Sequence, residues 1–241
     1  MPPFHTILGI KFFGGTSREA VEEITRRGGL LVAPAAPSMI ALCRDEDYRR
    51  ALLSAELAIA DSGFMVLLWK LFTGEKVPRI SGLEHVKRLL EHESVRPPGA
   101  VLWVVATETS REKLIEFLGG TRAVASTDRT TGSIHSAGRS DSPVHHPVAS
   151  SAPISAVSFS DFSSDPSAPI SAVSVSASQL FNTVYVAPKY SRPIADEQLL
   201  ALVRQTRPQH IVIAIGGGIQ DKLGQYLLEH LDYRRAVHCI G

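Results

Sequence analysis

The sequence predicts an α/β fold of the Rossmann-like type, with a mainly parallel sheet and helices on both faces. Two observations support this prediction. Short apolar runs alternate along the chain with helical patterns of about a dozen residues, as expected for strands joined by crossover helices. The runs VLWVVA at residues 101–106 and HIVIAI at residues 210–215 are apolar almost throughout, which is typical of strands buried inside a sheet.

Seven apolar runs of strand length follow one another along the chain. They are residues 6–10, 30–33, 57–60, 101–106, 183–187, 210–215 and 236–240. The helical patterns begin at Ser17, near Pro37, at Asp45, behind Asp61, at Gly82, at Thr109 or Ser110, at Ile194 and near Ile219. Serine and aspartate suit the start of a helix because their side chains accept hydrogen bonds from free backbone N–H groups.

Composition places the chain among globular proteins and argues against several functions. With 241 residues, of which 44% are hydrophobic and 20% charged, the chain can bury a large core. A net charge of +1 gives no broad attraction for nucleic acid, so we predict no nucleic-acid partner. Cys43 and Cys239 form no C-x-x-C pair, and we interpret both as buried free thiols. No signal peptide or membrane-spanning run is visible, so we expect a cytoplasmic protein.

Residues 121–180 interrupt the α/β pattern. They are rich in Ser, Ala and Pro, and they carry the repeat SAPISAVS at residues 151–158 and 167–174. Such a segment cannot bury enough apolar surface to offset the entropy lost on ordering. We therefore interpret residues 1–241 as one domain interrupted by a disordered, low-complexity insertion. His145 and His146 in this segment lack metal-ligand spacing, and we predict no metal site.

The strongest candidate for chemistry is the segment LAIADSGFMVLLWKLFTGEKVPRISG, residues 57–82. Its apolar strand stops at Asp61, and a helical pattern follows. Open α/β sheets place their chemistry at the carboxyl ends of strands, so Asp61 is a candidate catalytic carboxylate. The alternative is that Asp61 only caps the following helix, since aspartate is a favoured N-cap residue. The local sequence supports the two interpretations equally.

Two further groups have the chemistry to bind phosphate. Gly216, Gly217 and Gly218 lie between a strand and a helix, where backbone N–H groups approach anions, although a tight turn explains them nearly as well. Arg79 has a planar guanidinium suited to a diphosphate, although a solvated loop arginine is the simpler interpretation. The glycine spacing is neither G-x-G-x-x-G nor a P-loop, which argues against a dinucleotide enzyme.

The histidines form no recognisable motif. His85, His92, His210 and His230 fall on helical and strand patterns with no visible relay partner. We interpret them as structural or surface residues. The sequence also contains no G-x-S-x-G, H-E-x-x-H or C-x-x-C motif.

The segment from Asp45 to Gly82, DEDYRRALLSAELAIADSGFMVLLWKLFTGEKVPRISG, resembles the signature of the WecG/TagA/CpsF glycosyltransferases. That signature combines a DPxxRxAL helix, an ADLVLPDG strand end and a loop ending in RVTG. RPQHIVIAIGGGIQDKL at residues 207–223 is similar to the family's PDxxxVGLGAPKQE block, and ILGIKF…SREAVEEI fits its opening. Outside the predicted insertion, the resemblance covers most of the chain.

The resemblance implies a GT-E-like fold and an inverting, metal-independent transfer at the inner face of the cell membrane. An N-acetylhexosamine of the ManNAc type would pass from a UDP-sugar to a polyprenyl-diphosphate-linked sugar in cell-surface polysaccharide synthesis. The implied partners are this donor and the lipid-linked acceptor, with no cofactor, and with peripheral membrane contact and an oligomer as further expectations. By position, Asp61 matches the proposed general base. The other predicted substrate-binding residues are Arg79, Gln220, Gly216, Gly217, Gly218, Ser62, Gly63 and Tyr190.

Several positions depart from the family pattern. Ala33-Pro34-Ala35 replaces a TPN-like triplet, so a hydroxyl and an amide are missing, and GGIQD at residues 217–221 replaces APKQE. Thr107-Glu108 replaces the glycines usual after the 101–106 strand. We also expect the family's C-terminal appendage to be absent, because the sequence stops at Gly241. These departures support an alternative, a non-catalytic relative that binds a nucleotide-sugar or acts as a scaffold.

Overall fold

The computed structural model describes residues 4–127 and 183–241. Within these residues the strands are β1 Phe4–Ile7, β2 Ile10–Phe13, β3 Gly29–Val32, β4 Leu57–Ala58, β5 Val101–Val105, β6 Thr183–Val186, β7 His210–Ala214 and β8 Ala236–Cys239. They form one sheet in the order β1-β2-β4-β3-β8-β7-β5-β6. All eight lie in one compact unit, and residues 119–127 belong to a second unit. The predicted insertion lies almost wholly outside the described residues.

The sheet is parallel except for its first pair of strands. β1 and β2 are antiparallel, and every other neighbouring pair is parallel, which confirms the predicted mainly parallel sheet. The prediction of a single strand at residues 6–10 is wrong. Leu8 and Gly9 have φ angles of 51° and 84°, and two consecutive left-handed residues form a hairpin turn instead of continuing a strand.

Eight helices connect or flank the described strands. They are α1 Ser17–Arg27, α2 Ala36–Met39, α3 Glu46–Ser54, α4 Gly63–Thr73, α5 Gly82–Glu91, α6 Glu108–Thr127, α7 Glu197–Thr206 and α8 Ile219–His230, with 3₁₀ turns at Ile40–Cys43 and Glu93–Val95. α1 begins as predicted, but its cap is Thr16, which exchanges hydrogen bonds with Glu19 in a capping box. α6 begins at Glu108 because Thr107 accepts the Ser110 N–H at 3.1 Å.

The helices cover both faces of the sheet, as predicted. One face, called here the first face, carries α1, α5 and α6, and the second face carries α3, α4, α7 and α8. Along β8, Val237 and Cys239 pack in the second-face core and Ala236 in the first-face core, which is the alternation expected of a strand buried on both sides. The connection β2–β3 uses the first face, and the start of α6 after β5 packs there too. The connections β3–β4, β6–β7 and β7–β8 use the second face. This division between the faces is expected if all crossover connections have the same handedness.

The connection between β4 and β5 crosses from one face to the other. α4 packs on the second face through Met65 and Trp69, whereas α5 packs on the first face through Leu89. Residues 74–81 must therefore pass over the carboxyl edge of the sheet between these helices. This crossing places Arg79 at that edge.

β8 lies at the centre of the sheet, hydrogen-bonded to β3 on one side and β7 on the other. Cys239 on this strand is buried, as predicted. The prediction of a buried thiol is wrong for Cys43, which is exposed because it lies on the 3₁₀ turn before α3. None of the described helices combines the length and apolar character that a bilayer span requires.

Candidate functional site

Asp61 lies three residues beyond the end of β4, at the carboxyl edge of the parallel sheet. Its neighbour Ser62 is the N-cap of α4, and the Ser62 hydroxyl accepts the Met65 N–H at 3.3 Å. The interpretation of Asp61 as the helix cap is therefore wrong. No described side chain hydrogen-bonds or ion-pairs with the Asp61 carboxylate, which is half-buried. This carboxylate is thus available to a substrate.

Arg79 is held beside Asp61 by backbone pairing. Ala60 and Arg79 form an isolated parallel bridge, in which the Ile80 N–H donates to the Ala60 carbonyl at 3.1 Å. The Arg79 Nε donates to the Asp61 backbone carbonyl at 3.0 Å, which leaves the two terminal nitrogens of the exposed guanidinium free of any described partner. The Arg79 side chain also passes Gly63, where an added Cβ would lie 3.7 Å from the Arg79 Cδ. These contacts join the catalytic candidate and the guanidinium in one cluster.

The first turn of α5 closes the other side of the Asp61 carboxylate. A Cβ built on Gly82 would lie 3.9 Å from the Asp61 Oδ2 and 3.5 Å from Ile240, the residue that follows β8. Gly82 was predicted only as a helix start. Its contact with the carboxylate follows from the crossing of residues 74–81 over the sheet edge, a long-range feature that the local pattern does not contain.

Gly216, Gly217 and Gly218 form the turn between β7 and α8. Gly216 and Gly218 have φ angles of 106° and 82°, which side chains rarely adopt, and a Cβ on either would meet nothing within 4 Å. The glycines are thus required by backbone conformation, and the space above the turn is open. A Cβ on Gly217 would lie 3.2 Å from the Ser38 hydroxyl, which brings α2 beside this turn.

The start of α8 already contains a carboxylate. Asp221 accepts the Gly218 N–H at 3.0 Å, and burial raises its pKa to about 6. One of the N–H groups expected to approach an anion is therefore in use. Lys222, which was not predicted as a site residue, lies in the next position and donates to Asp45 at 2.9 Å, while Arg192 donates to the same Asp45 oxygen at 2.8 Å. The hydrogen bond from Lys222 is the largest cause of the lowered pKa of Asp45.

Two predicted substrate-binding residues have buried surroundings. Gln220 is 1% exposed, its Oε1 has no described hydrogen-bond partner, and an added Cβ on Gly241 would lie 2.7 Å from that oxygen. The Tyr190 hydroxyl donates to Asp196 at 2.7 Å, and Asp196 caps α7 by accepting the Leu199 N–H at 2.8 Å. Burial raises the pKa of Tyr190. The side chain of Tyr190 thus supports the loop before α7.

The structure places the predicted residues in two groups along one edge of the sheet. Asp61, Ser62, Gly63 and Arg79 follow β4, whereas Gln220 and the glycine turn follow β7. With β3 and β8 between them, three strand spacings separate the groups by about 14 Å. Ala33 to Ala35, after β3, lie between the groups. A ligand that contacts both groups must therefore be extended along the edge.

Both groups lie where neighbouring connections leave the sheet on opposite faces. β2 leads to α1 on the first face and β4 leads to α4 on the second, so a crevice opens beside Asp61. β7 leads to α8 on the second face and β5 leads to α6 on the first, so another opens beside Gly216. Such switch points are the usual ligand sites of open α/β sheets.

Two cavities lie at the opposite, amino edge of the sheet. One of about 420 Å³ is lined by Gly29, Glu56 and Arg234, and one of about 720 Å³ by Lys11, Arg27 and Glu56. Neither contains a predicted site residue, so neither belongs to the candidate site at the carboxyl edge.

The fold defines an α/β protein whose candidate site lies along the carboxyl edge of a parallel sheet. A model of the glycosyl transferase WecG/TagA/CpsF family matches residues 5–145, which include Asp61 and Arg79. This match covers more than half of the chain, and the chain belongs to that family. Membership implies a nucleotide-sugar donor and an acceptor. A search of curated proteins found no match.

Proposed function

We propose that the chain is an inverting, metal-independent glycosyltransferase that uses Asp61 as its general base. It transfers an N-acetylhexosamine of the ManNAc type from a UDP-sugar to a polyprenyl-diphosphate-linked sugar in cell-surface polysaccharide synthesis. The observation that carries the proposal is the position of the Asp61 carboxylate. It stands at the carboxyl end of β4, is not the helix cap, and has no described hydrogen-bond or ion-pair partner.

The proposed reaction needs one proton acceptor and one group that stabilises the leaving diphosphate. An acceptor hydroxyl attacks the anomeric carbon, its proton passes to Asp61, and the bond from that carbon to the UDP oxygen breaks on the opposite face. The free guanidinium nitrogens of Arg79 have the fork geometry to bind diphosphate oxygens beside Asp61. The glycine turn, about 14 Å along the sheet edge, would meet the other end of the donor. The side chains at the site therefore supply both requirements.

The separation of the two residue groups suggests how the donor lies. About 14 Å along the sheet edge suits an extended nucleotide-sugar better than a compact ligand. With its sugar beside Asp61, the donor would pass Ala33 to Ala35 and reach toward Gly216. Small side chains at Ala33 and Ala35 leave room for a ligand in that path, although they offer it no polar side chain.

We further propose that α4 contacts the membrane that holds the lipid-linked acceptor. α4 exposes large apolar side chains over one face, 62–79% of each side chain being accessible; they are Phe64, Leu67, Leu71 and Phe72. Contiguous exposed apolar surface of this kind marks an interaction site. The exposed cations Lys70, Lys76 and Arg79 lie on α4 or in the loop after it, and they complement anionic headgroups. α4 also starts two residues after Asp61, so the acceptor would approach the base from the bilayer side.

We also propose that residues 1–241 are one glycosyltransferase domain with an insertion at about 121–180. β5 and β6 flank that segment in the sequence and pair over four residues each, from Leu102–Thr183 to Val105–Val186. α6 already provides the crossover that two parallel neighbours need. The additional residues therefore enlarge a connection between adjacent strands.

The test is a transfer assay on full-length protein with UDP-GlcNAc or UDP-ManNAc and a lipid-linked acceptor analogue. Asp61→Asn should lower turnover by about 10²–10⁴-fold, the usual contribution of a positioned base, while UDP binding measured by calorimetry persists. Asp47→Asn, an exposed carboxylate on α3, is the matched control and should retain turnover. Unchanged turnover in Asp61→Asn would eliminate Asp61 as the base.

A nucleotide-sugar-binding relative without catalysis is the second candidate. It is favoured by the Asp221 carboxylate that occupies the Gly218 N–H, and by Ala33 and Ala35. This candidate predicts heat on titration with a UDP-sugar and no transfer with any acceptor. Transfer by the unmodified chain would exclude it.

A further inference from the structure

Four histidines and one serine form a continuous hydrogen-bonded chain on the first face of the sheet. His85 on α5 contacts His238 on β8 at 2.9 Å, and His238 contacts His210 on β7 at 3.1 Å. His210 contacts the Ser94 hydroxyl at 2.7 Å, and that hydroxyl contacts His92 at 2.7 Å. The first three rings are completely buried. We call these five residues the histidine chain.

The hydrogen bonds determine the tautomer of every ring. The Ser94 N–H donates to the His92 Nδ1 at 3.2 Å, so that nitrogen carries no proton, and the Ser94 hydroxyl must donate to it as well. The Ser94 oxygen therefore accepts from the His210 Nε2–H. By the same rule, the His210 Nδ1 accepts from His238 and the His238 Nδ1 accepts from His85. All four rings are neutral Nε2–H tautomers, and the His85 Nδ1 has no described partner.

The histidine chain ties both ends of α5 to the centre of the sheet. His85 lies in the first half of α5, and Ser94 lies in the 3₁₀ turn just after its end. The two are linked through the neighbouring strands β8 and β7, which pair in register over His210–Ala236 to Ile213–Cys239. A shift of α5 along its axis would break a hydrogen bond at each end. Each buried polar group that loses its hydrogen-bond partner costs about 1–3 kcal/mol of stability, so the histidine chain resists such a shift of α5.

The position of α5 matters because its first turn lies against Asp61. The Gly82 Cβ position is 3.9 Å from the Asp61 Oδ2, and His85 follows Gly82 by three residues, which is close to one helical turn. The loop before α5 carries Arg79, which is bonded to the Asp61 carbonyl.

We propose that the histidine chain fixes α5 against the sheet and that His85 is a positioning residue for Asp61 and Arg79. The proposal rests on the transferase function proposed above. His85 acts through its Nε2–H bond to His238, so a side chain that keeps a donor at that position retains the effect. A misplacement of about 1 Å at a reacting centre costs about 100-fold in rate.

The experiment compares His85→Leu, which removes the donor, with His85→Gln, which keeps one. His85→Leu should lower kcat about 100-fold and weaken UDP binding by less than the roughly tenfold loss expected for Arg79→Ala, and His85→Gln should restore most of both losses. His230→Gln, on α8 and outside the chain, is the matched control. Ser94→Ala breaks the chain at its half-buried end and serves if His85→Leu fails to fold. A kcat in His85→Leu or Ser94→Ala equal to that of the control would overturn the proposal.

A spectroscopic measurement separates this proposal from the transferase function itself. In the wild-type protein, ¹⁵N NMR should show Nε2–H tautomers for His85, His92, His210 and His238. The ¹³C resonance of the Asp61 carboxyl should shift in His85→Leu and return in His85→Gln. An Nδ1–H tautomer in the chain, or an Asp61 resonance indifferent to both variants, would refute positioning even in an active enzyme. An inactive wild-type protein that passes both tests would refute the transferase function alone.

Discussion

Acidification should destabilise the protein through its buried histidines. Burial lowers the pKa of His85 to about 4 and that of His210 to about 4, with His92 and Arg235 adding to the effect at His210. Burial also lowers the pKa of His238. In the unfolded chain a histidine titrates near pH 6.5. Between that pH and about 4, these histidines therefore bind more protons in the unfolded state than in the folded state. Stability therefore falls as the pH falls through this window.

The size of the effect follows from the same values. Between about pH 7.5 and about pH 5, a histidine whose pKa drops from 6.5 to about 4 loses about 2 kcal/mol, so His85 and His210 lose about 4 kcal/mol together. Asp221 opposes them, because its raised pKa of about 6 returns about 1 kcal/mol over that range. The expected net loss is at least about 3 kcal/mol, because His238 adds to the sum. This is a large share of the roughly 5–15 kcal/mol of a typical domain.

Urea unfolding at the two pH values, followed by tryptophan fluorescence, measures this loss. His85→Gln removes one titrating ring and should reduce the loss by about 2 kcal/mol, whereas His230→Gln should leave the loss unchanged. A wild-type loss below about 1 kcal/mol, with constant m-values, would show that the rings are not held neutral by burial. An equal loss in His85→Gln would exclude His85 as a contributor.

Three further experiments, each with its own substitutions, test separate features. A Cβ on Gly224 would lie 2.7 Å from Leu30 and 2.8 Å from Cys239, so Gly224→Ala should lower the free energy of unfolding by about 1–3 kcal/mol. An unchanged urea midpoint would contradict the close packing of α8 on β3 and β8. Arg79→Ala should weaken UDP binding about tenfold or more, as expected when a charge-assisted hydrogen bond is lost, and Arg79→Lys should recover only part of the lost affinity. Calorimetry that finds no difference in affinity would remove Arg79 from the diphosphate site. The double variant Leu67→Asp/Leu71→Asp should float less with anionic vesicles than the control variant Leu8→Asp, which changes an exposed leucine in the β1–β2 turn. Equal flotation of the two variants would refute the membrane role of α4.

The fold was largely predictable because its strands are apolar and its helices carry clear caps. VLWVVA and HIVIAI correspond to β5 and β7, and Asp45 caps α3 as expected. The predicted strand at residues 6–10 failed because a leucine occupies a left-handed turn position, which composition does not reveal. The choice between catalytic base and cap at Asp61 needed coordinates, because Ser62 is an equally good cap.

The site was predictable only where its residues are close in sequence. Asp61 and Arg79 are joined by a hydrogen bond across 18 positions, next to the bridge between Ala60 and Arg79, and the family motif already grouped them. The histidine chain joins positions up to 153 residues apart, so no local spacing indicates it. The interpretation of His85 and His210 as structural residues agrees with their burial, but the sequence did not reveal their hydrogen-bond partners. His238 drew no attention because it is one polar residue in an apolar run.

The central position of β8 has a consequence for the order in which the protein is built. The strands β1, β2, β4 and β3 and the strands β7, β5 and β6 form two ladders with no hydrogen bonds between them except through β8. β8 follows every other described strand in the sequence, so it must leave the ribosome before the two ladders can join. Until then each nascent half exposes a bare parallel edge, β3 in one and β7 in the other. Cellular chaperones that shield unpaired edges should therefore influence the yield of this protein more than that of a fold whose last strand is peripheral.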